Sequence, residues 1–275
     1  FPPESFKQFM AFHNEHSRKG RLTYPGRTDI RFVTWTLKYN VCEWLTVEEM
    51  EELYRPAVVQ ATRGPDGTLR IRTRNVAALQ VGRDVAERVE IDGVKHRLAT
   101  AAGGLLPGVF YQKNGKDWNL LDYDTSRSFQ KNLDLNKRRD LQGPIDDAFM
   151  QPFVCVTGSG TPWSQSQADW ANWTLSRFGR EFDKWLRGRI RVVQDTEVDD
   201  EMIASNNLVL FGDPGSNRLM ARVIARMAVE WTREAMLVAG KSYDPDSHGL
   251  SMIYPNPLNP RRYVVINSGH TFHEA

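Results

Sequence analysis

One stretch of the sequence, residues 206–224, constrains the fold more than any other part of the chain. The unbroken apolar run Leu208–Phe211 ends in the turn 212–217, Gly-Asp-Pro-Gly-Ser-Asn, after which apolar residues recur with helical spacing. This pattern predicts a buried parallel strand, a tight turn and a helix that is capped by Ser216 or Asn217. Open α/β sheets build ligand sites at such turns, because the free N–H groups of the helix start lie beyond the carboxyl end of the strand. The stretch therefore predicts where a site would lie, but not which ligand it would bind.

Strand-like and helix-like segments alternate through the C-terminal part of the chain. The longest predicted helix is Gln165–Leu186, and its aromatic side chains are assigned to core packing: Trp170, Trp173, Phe178, Phe182 and Trp185. The predicted strands are Phe153–Val156, Ile190–Val193, Leu208–Phe211, Val229–Trp231, Ser251–Tyr254 and Tyr263–Ile266. Because helical segments stand between the first four, residues 152–275 are predicted to form a flavodoxin-like three-layer α/β module with a mostly parallel sheet. The last two strands are expected to pair antiparallel at the sheet edge.

The N-terminal part of the chain has a different pattern. A helix is predicted over residues 3–19, and the period changes to that of a strand at Ile30–Lys38. Val41–Trp44 is expected to be the partner of that strand, and a short acidic helical piece is expected at Val47–Tyr54. Further short strands follow, at residues 57–63, 68–74, 76–81, 89–91 and 109–118, with Asp-Gly or Asn-Gly turns. These predict an antiparallel β-sandwich over residues 28–116, followed by a linker over 117–151 that packs on the next domain.

Composition excludes some classes of partner. The 36 basic and 34 acidic side chains give a formal charge of +2 and form no basic stripe along the sequence, so no nucleic-acid partner is predicted. No apolar run of 18 residues occurs, which excludes a membrane-spanning helix. Cys42 and Cys155 lie in strand-like runs and are expected to be buried thiols. The first residues show no signal peptide, and the chain, which begins in mid-pattern, is expected to be a piece of something longer.

Polar turns that follow the predicted parallel strands define a candidate site. Such turns should share one edge of the sheet, so their side chains are predicted to converge on a single crevice. The candidate ligand residues are Ser159, Gly160, Asp195, Asp213, Ser216, Asn217 and His270. His270 is the one imidazole placed there for acid–base chemistry. The alternative interpretation is that Gly, Asp, Ser and Asn are the ordinary residues of turns and caps.

Common catalytic motifs are missing from the sequence. There is no G-x-S-x-G elbow, no phosphate-binding G-x-x-x-x-G-K-[ST], no H-E-x-x-H and no cysteine pair with metal-ligand spacing. His13 and His16 share a helix surface, but no second pair completes a metal-ligand set. No catalytic residue, metal or cofactor is therefore predicted for this chain.

Four segments carry a resemblance to a known family: Phe32–Asn40, Gly143–Phe149, Asn207–Pro214 and Tyr254–His270. Together they resemble the region that follows the catalytic domain in large bacterial prolyl-oligopeptidase-like serine hydrolases, and the last segment is the most specific. The resemblance implies that residues 1–27 correspond to the end of an α/β-hydrolase domain, just after its catalytic His. The nucleophile, the acid and that His would then precede Phe1, in an upstream domain of the same polypeptide. The resemblance also implies an extracellular or periplasmic location.

Three functions are considered on this basis. The first is a non-catalytic accessory region of such a hydrolase, which shapes substrate access or assembly. The second is an independent enzyme or sensor that binds a small anion or a nucleotide in the crevice of the α/β module. The third is a carbohydrate-binding sandwich that uses exposed aromatic residues such as Trp35, Trp44 or Trp118. The sequence predicts neither a substrate nor an oligomeric state.

Overall fold

The computed structural model describes residues 2–20, 22–97, 108–131 and 135–271. The chain divides into two compact units, Phe1–Arg127 and Ser128–Ala275. Parts of the predicted sandwich (98–107), of the predicted linker (132–134) and of the two terminal segments (1, 21 and 272–275) lie outside the described residues.

The first unit begins with helix α1 (Pro3–Lys19), which confirms the predicted helix. Proline occupies the first helical position, where its missing N–H costs nothing. Glu15 pairs with Lys19 at 2.6 Å on the polar side of the helix. No residue of α1 is buried.

Ten strands follow in the described part of the first unit, and they form two five-stranded sheets. The strands are β1 (Ile30–Thr34), β2 (Val41–Cys42), β3 (Leu45–Glu49), β4 (Ala57–Arg63), β5 (Thr68–Arg74), β6 (Ala78–Gly82), β7 (Arg88–Ile91), β8 (Val94–Arg97), β9 (Gly108–Asn114) and β10 (Asp117–Leu120). One sheet has the order β1-β4-β5-β7-β8 and the other the order β10-β9-β6-β3-β2. Neighbouring strands are antiparallel except β5 and β7, which run parallel.

Residues of both sheets contribute to one hydrophobic core. Val59 and Ile71 come from the first sheet, and Leu79, Tyr111 and Trp118 come from the second. The core follows from the alternation predicted for these strands, since every second side chain of a strand points to the same face. The predicted Asp66-Gly67 turn joins β4 to β5, and Gly67 takes the positive φ of +74° that the turn requires.

Two local predictions in this unit are wrong. Segment Val41–Cys42 does not pair with β1; it pairs with β3 in the other sheet, while β1 pairs with β4. The acidic segment Val47–Tyr54 is not helical, because Leu45 and Val47 are fully buried in strand β3 and only turns follow it. Burial of two apolar side chains at strand spacing outweighs the local helix propensity of the glutamates.

The predicted linker contains regular structure. Helix α2 (Tyr123–Lys131) was not predicted, and the division between the two units falls inside it. A 3-10 helix at Ile145–Phe149 buries Ala148 and Phe149 in a core of the second unit. Tyr263 fixes this segment, since its hydroxyl donates to Asp147 at 2.7 Å and accepts from the N–H of Gly143 at 2.9 Å.

The described part of the second unit is built on a five-stranded, mostly parallel sheet. Its elements, in chain order, are β11 (Phe153–Thr157), α3 (Gln165–Leu186), β12 (Val192–Gln194), α4 (Asp200–Ser205), β13 (Asn207–Leu210), α5 (Arg218–Ile224), β14 (Val229–Trp231), β15 (Met236–Val238), β16 (Lys241–Tyr243), β17 (Met252–Asn256) and β18 (Asn259–Ile266). The sheet order is β12-β11-β13-β18-β17. The first four strands are parallel, and β17 pairs antiparallel with β18 at the edge, as predicted.

Both faces of this sheet are covered. Leu208 and Leu210 of β13 face a core that α5 completes with Leu219, Met220 and Val223. Val209, between them, faces the opposite core, to which α3 contributes Phe178. A strand that is buried on both faces reads as an unbroken apolar run, which explains the Leu-Val-Leu-Phe sequence. The fold is thus mixed α/β, with mostly antiparallel sheets in one unit and a mostly parallel sheet in the other.

Two further expectations for the second unit are wrong. Val229–Trp231 does not join the parallel sheet but forms a separate antiparallel sheet with β15 and β16. Trp173 and Trp185 are exposed on α3 rather than packed in the core, whereas Phe178 is buried. None of the helices in the described residues combines the length and the apolar composition that a membrane span requires.

Candidate functional site

The polar turns after β11, β12 and β13 meet at one edge of the parallel sheet, as the sequence predicts. Asp195 follows β12 and connects two other segments. Its carboxylate accepts a hydrogen bond from the N–H of Ser159, at 3.1 Å, and another from the N–H of Arg218, at 2.7 Å. The turn after β11, the turn after β12 and the start of α5 are therefore joined through one carboxylate.

Asp213 organises the turn that follows β13. It is fully buried, and its carboxylate accepts hydrogen bonds from the N–H groups of Gly215 (2.9 Å), Ser216 (2.8 Å) and Trp163 (2.9 Å). Charge-assisted bonds of this kind compensate for the removal of a carboxylate from water. Asp213 therefore folds its own turn and attaches to it the segment that leads into α3.

Asn217 is the N-cap of α5, which confirms one of the two predicted caps. Its side-chain oxygen accepts from the N–H groups of Leu219 (3.0 Å) and Met220 (3.1 Å). Its amide nitrogen donates to the carbonyls of Val156 and Phe211, both at 3.1 Å. One buried side chain thus joins the helix start to the ends of two neighbouring strands.

These bonds use the backbone donors that would otherwise meet an anion. The N–H groups of residues 215, 216, 218, 219 and 220 all donate to Asp213, Asp195 or Asn217, and the N–H of Asn217 donates to the carbonyl of Asp213. In anion-binding turns these groups point at the ligand. In this protein the same N–H groups donate to Asp213, Asn217 and Asp195 instead.

The turn after β11 lies directly against the turn after β13. Gly160 donates its N–H to the carbonyl of Ser216 at 2.8 Å. A Cβ at Gly158 would overlap that same carbonyl, and a Cβ at Gly160 would lie 2.7 Å from the carbonyl of Gly215. Ligands of open α/β sheets bind between turns that diverge at this point of the strand order. The two turns of this protein are in contact instead.

His270 lies beside a different carboxylate. Its Nδ1 lies 3.4 Å from a carboxylate oxygen of Asp146, and its ring centroid is 6.0 Å from that of Phe149. Phe149 belongs to the core on the α3 side of the sheet, whereas Leu219 and Met220 of α5 belong to the core on the other side. The structure therefore brings together six of the seven predicted residues (Ser159, Gly160, Asp195, Asp213, Ser216 and Asn217) and places His270 with a different carboxylate.

Two participants in the network were not among the seven candidate residues. Trp163 donates its N–H to Asp213, and its indole ring lies so close to Gly215 that a Cβ there would overlap it. Asn267, after β18, exchanges hydrogen bonds of 2.8 Å with the backbone N–H and carbonyl of Gly212. Asn267 begins the polar turn that also contains His270 and that was expected at this edge, so its position just past a predicted strand was the available signal. Nothing in the sequence indicates the role of Trp163.

The electrostatics of Asp195 favour its ionised form. Burial disfavours the charged carboxylate, but the hydrogen bonds from Arg218 and Ser159 and the nearby Arg218 guanidinium outweigh burial, so the pKa of Asp195 lies below its usual value. A carboxylate with a lowered pKa accepts hydrogen bonds well and is a poor general acid at neutral pH. This environment suits a structural role.

One serine–histidine pair occurs elsewhere in the second unit. Ser247 Oγ lies 3.0 Å from His248 Nδ1 and 3.1 Å from a carboxylate oxygen of Asp244. All three residues lie on one exposed turn, and the carboxylate contacts the serine rather than the other nitrogen of the histidine. The arrangement lacks the acid that orients the base in a catalytic triad. It is also the hydrogen bonding expected of an Asp-Pro turn.

The aromatic residues considered for carbohydrate binding have different environments. Trp44 and Trp118 are buried in the core of the first unit, where their indole N–H groups donate to the Arg27 carbonyl (2.8 Å) and to Asp92 (2.9 Å). Trp35 alone of the three is exposed. Two of the three predicted contacts are therefore not available at the surface. Within the residues that the structure describes, no group of three or more His, Cys, Asp or Glu has the arrangement of a metal site.

Comparisons with known proteins do not identify a family. A scan against protein-family models finds no match, and neither a search of curated proteins nor a search of solved structures finds a significant one.

Asn217 should be a major determinant of stability. We expect Asn217→Ala to lower the free energy of unfolding by about 3 kcal/mol, since it removes a helix cap and leaves the carbonyl of Phe211 without its side-chain donor. The carbonyl of Val156 still accepts from the N–H of Phe211. Asp199→Ala is the matched control, because Asp199 caps α4 at an exposed site through one bond to Met202; its expected cost is about 1 kcal/mol. Urea unfolding measures both variants. Equal costs would contradict the structural role of Asn217.

Asp195 should make stability sensitive to acid. Since its pKa is lower in the folded chain, its contribution is complete above the ordinary aspartate value of about 4 and is lost as pH falls below it. We expect Asp195→Asn to be less stable than the parent at neutral pH and to lose less stability between about pH 5 and pH 2.5. Parallel pH profiles for the parent and Asp195→Asn would contradict this assignment.

Proposed function

We propose that this chain is the non-catalytic accessory region of a prolyl-oligopeptidase-like serine hydrolase, in which it shapes substrate access or assembly. The nucleophile, the acid and the catalytic histidine would belong to an α/β-hydrolase domain earlier in the same polypeptide. The proposal starts from the sequence resemblance. The structural observation that supports it best is the apolar face of α1.

Helix α1 carries an apolar face that is not buried in this chain. Phe6, Phe9, Met10 and Phe12 lie within about 160° of the helix circumference, together with His13 and His16, while the charged residues lie opposite. Phe9 is 60% exposed and Phe12 is 63% exposed. Amphipathic helices gain most of their stability by packing this kind of face, and a 17-residue helix is marginal in water without it. We infer that the face packs on the hydrolase domain, of which α1 would be the last helix.

The finer architecture is part of the same proposal. Residues 28–116 would form a β-sandwich, 117–151 a linking segment and 152–275 a flavodoxin-like three-layer module. The strand order in the second sheet supports this assignment, because its first three strands in the chain lie in the order second, first, third, as in flavodoxin-like sheets. The fourth parallel strand, which lies next to β13, is β18. An extracellular or periplasmic location belongs to the proposal as well.

The geometry of the polar turns favours an accessory role over the two alternatives. A small-anion or nucleotide site needs backbone donors or an open crevice at the sheet edge, but the donors of residues 215–220 are used within the chain and the turns touch. A carbohydrate site needs exposed aromatic rings, but of the three tryptophans considered only Trp35 is exposed, and Trp44 and Trp118 are core residues. A rigid supporting module requires a closely packed sheet edge of this kind, in which the turns are hydrogen-bonded to one another.

The proposal is tested on the native polypeptide. An antibody raised against this chain should detect a band well above 31.5 kDa in the source cells. A fluorophosphonate probe should label that larger species at a serine outside residues 1–275 and should not label the purified chain. A native band at 31.5 kDa, or labelling of a serine within the chain, would refute the proposal.

The role of α1 gives a separate prediction. In the isolated chain, Phe6→Ser with Phe9→Ser should change the free energy of unfolding by no more than about 0.5 kcal/mol, because neither ring is buried. Leu45→Ser is the control, and it should cost roughly 4 kcal/mol since Leu45 is fully buried in the core of the first unit. In the longer native polypeptide the same double change should lower stability measurably. A large loss in the isolated chain would mean that α1 packs on this chain itself.

A further inference from the structure

The outward face of the sheet β1-β4-β5-β7-β8 is strongly basic. Strand β5 alternates buried Leu69 and Ile71 with exposed arginines, and the neighbouring strands add more basic side chains. We call this surface the arginine face; its members are Arg31, Arg70, Arg72, Arg74, Arg88, Lys95 and Arg97. Strand register brings them together, because the partner of Arg31 on β4 is also the partner of Arg72, and Arg88 lies opposite Arg97.

Few acidic groups balance this charge. Glu90 is the one acidic residue in the five strands, and Asp66, in the turn before β5, pairs with Arg70 at 2.7 Å and accepts from Arg88 through its carbonyl. The side chains of five of these residues have no hydrogen bond or ion pair with any described residue: Arg31, Arg72, Arg74, Lys95 and Arg97. Like charges this close repel one another, so an anion bound across them would be favoured.

The arginine face is also concave. Two adjoining concavities, of about 420 and 690 Å³, share Arg70 and Glu90 in their walls. The first extends toward Arg97 and the second toward Arg72. Together they form a groove that follows β5 and β7. Its walls hold four guanidinium groups and Lys95, together with the acidic residues Asp66, Glu90 and Asp92, whereas Arg31 and Arg74 lie outside it.

We propose that this groove binds an extended acidic polypeptide segment, independently of the accessory role proposed above. Six of the seven cations are arginines, whose planar fork bonds carboxylates through two parallel hydrogen bonds. Arg70, Arg72 and Arg74 recur every second residue along β5, a spacing of about 6.7 Å in a strand. Every second side chain of an extended peptide has the same spacing. A peptide laid along β5 with acidic residues at alternate positions would therefore place carboxylates against Arg72 and Arg74, while Arg70 stays paired with Asp66.

Single-stranded nucleic acid fits the groove less well. Proteins that bind it without sequence preference stack its bases on aromatic side chains. In the five strands of this sheet the one benzene-type ring is that of Phe32, which packs against the core, and the His96 ring packs against Tyr111, 5.1 Å away. The groove thus has charges for phosphates but lacks a described stacking surface for bases.

The test uses the whole chain and a short fluorescein-labelled peptide in which Glu and Thr alternate. Fluorescence anisotropy at low salt should show saturable binding that weakens as salt is added, and a peptide of alternating Gln and Thr should not bind. Arg72→Glu with Arg74→Glu should weaken binding about tenfold or more. The matched control is Arg180→Glu with Arg233→Glu, which reverses two exposed, unpaired arginines of the second unit and should leave binding unchanged.

Each other outcome counts against the proposal. Absence of binding, equal weakening by both double variants, or binding of oligothymidylate at the same affinity as the acidic peptide would overturn it, the last in favour of a general polyanion surface. Circular dichroism establishes that each variant is folded. If Arg72→Glu with Arg74→Glu does not fold, Arg72→Gln with Arg74→Gln replaces it, and retention of full affinity by that pair would equally overturn the proposal.

Discussion

The second unit depends on one buried carboxylate. Asp213 holds three backbone N–H groups, two from its own turn and one from Trp163, and so fixes the end of β13 relative to the start of α3. Asp195 does the same for the turn after β11 and the start of α5. A buried carboxylate is tolerated only where such donors surround it. The positions of α3 and α5 over the two faces of the sheet are thus set by polar groups at its edge, and the apolar cores fill the space that results.

The sequence correctly predicted that the polar side chains at this sheet edge are neighbours. The carboxyl ends of parallel strands lie at the same edge of a sheet, whatever conformation the turns adopt. It did not predict what the side chains do there. Whether Asp213 faces a ligand or its own turn depends on shifts of a few ångströms in the positions of the backbone. Those positions follow from the close contact of Gly158 and Gly160 with the carbonyls of Ser216 and Gly215. The segment after β18 turns toward Phe149 and Asp146, so His270 lies beside a different carboxylate. Periodicity carries no information about the direction of an irregular tail.

The same distinction holds for the fold. Hydrophobic periodicity was enough for α1, for α3 and for the edge pair β17–β18, since each is defined by its own spacing. Periodicity failed where the structure of a segment depends on a partner far away in the sequence. Val41 pairs with β3 rather than with β1, and the glutamate-rich segment after Leu45 begins in strand β3 and is not helical. The arginine face was missed for a related reason. Its members are scattered through four strands and are balanced in the sequence by acidic residues elsewhere, so a net charge of +2 gives no sign of it.

The arginine face also has a consequence for how the first sheet finds its pairing. In β5 the arginines alternate with Leu69 and Ile71, so a slip of one residue would carry three guanidinium groups into the hydrocarbon interior and leave two aliphatic side chains in water. The penalty for burying unpaired charge far exceeds that of a merely imperfect apolar fit. The arginines of β5, which form part of the proposed binding surface in the folded protein, therefore also favour the correct register of that strand during folding.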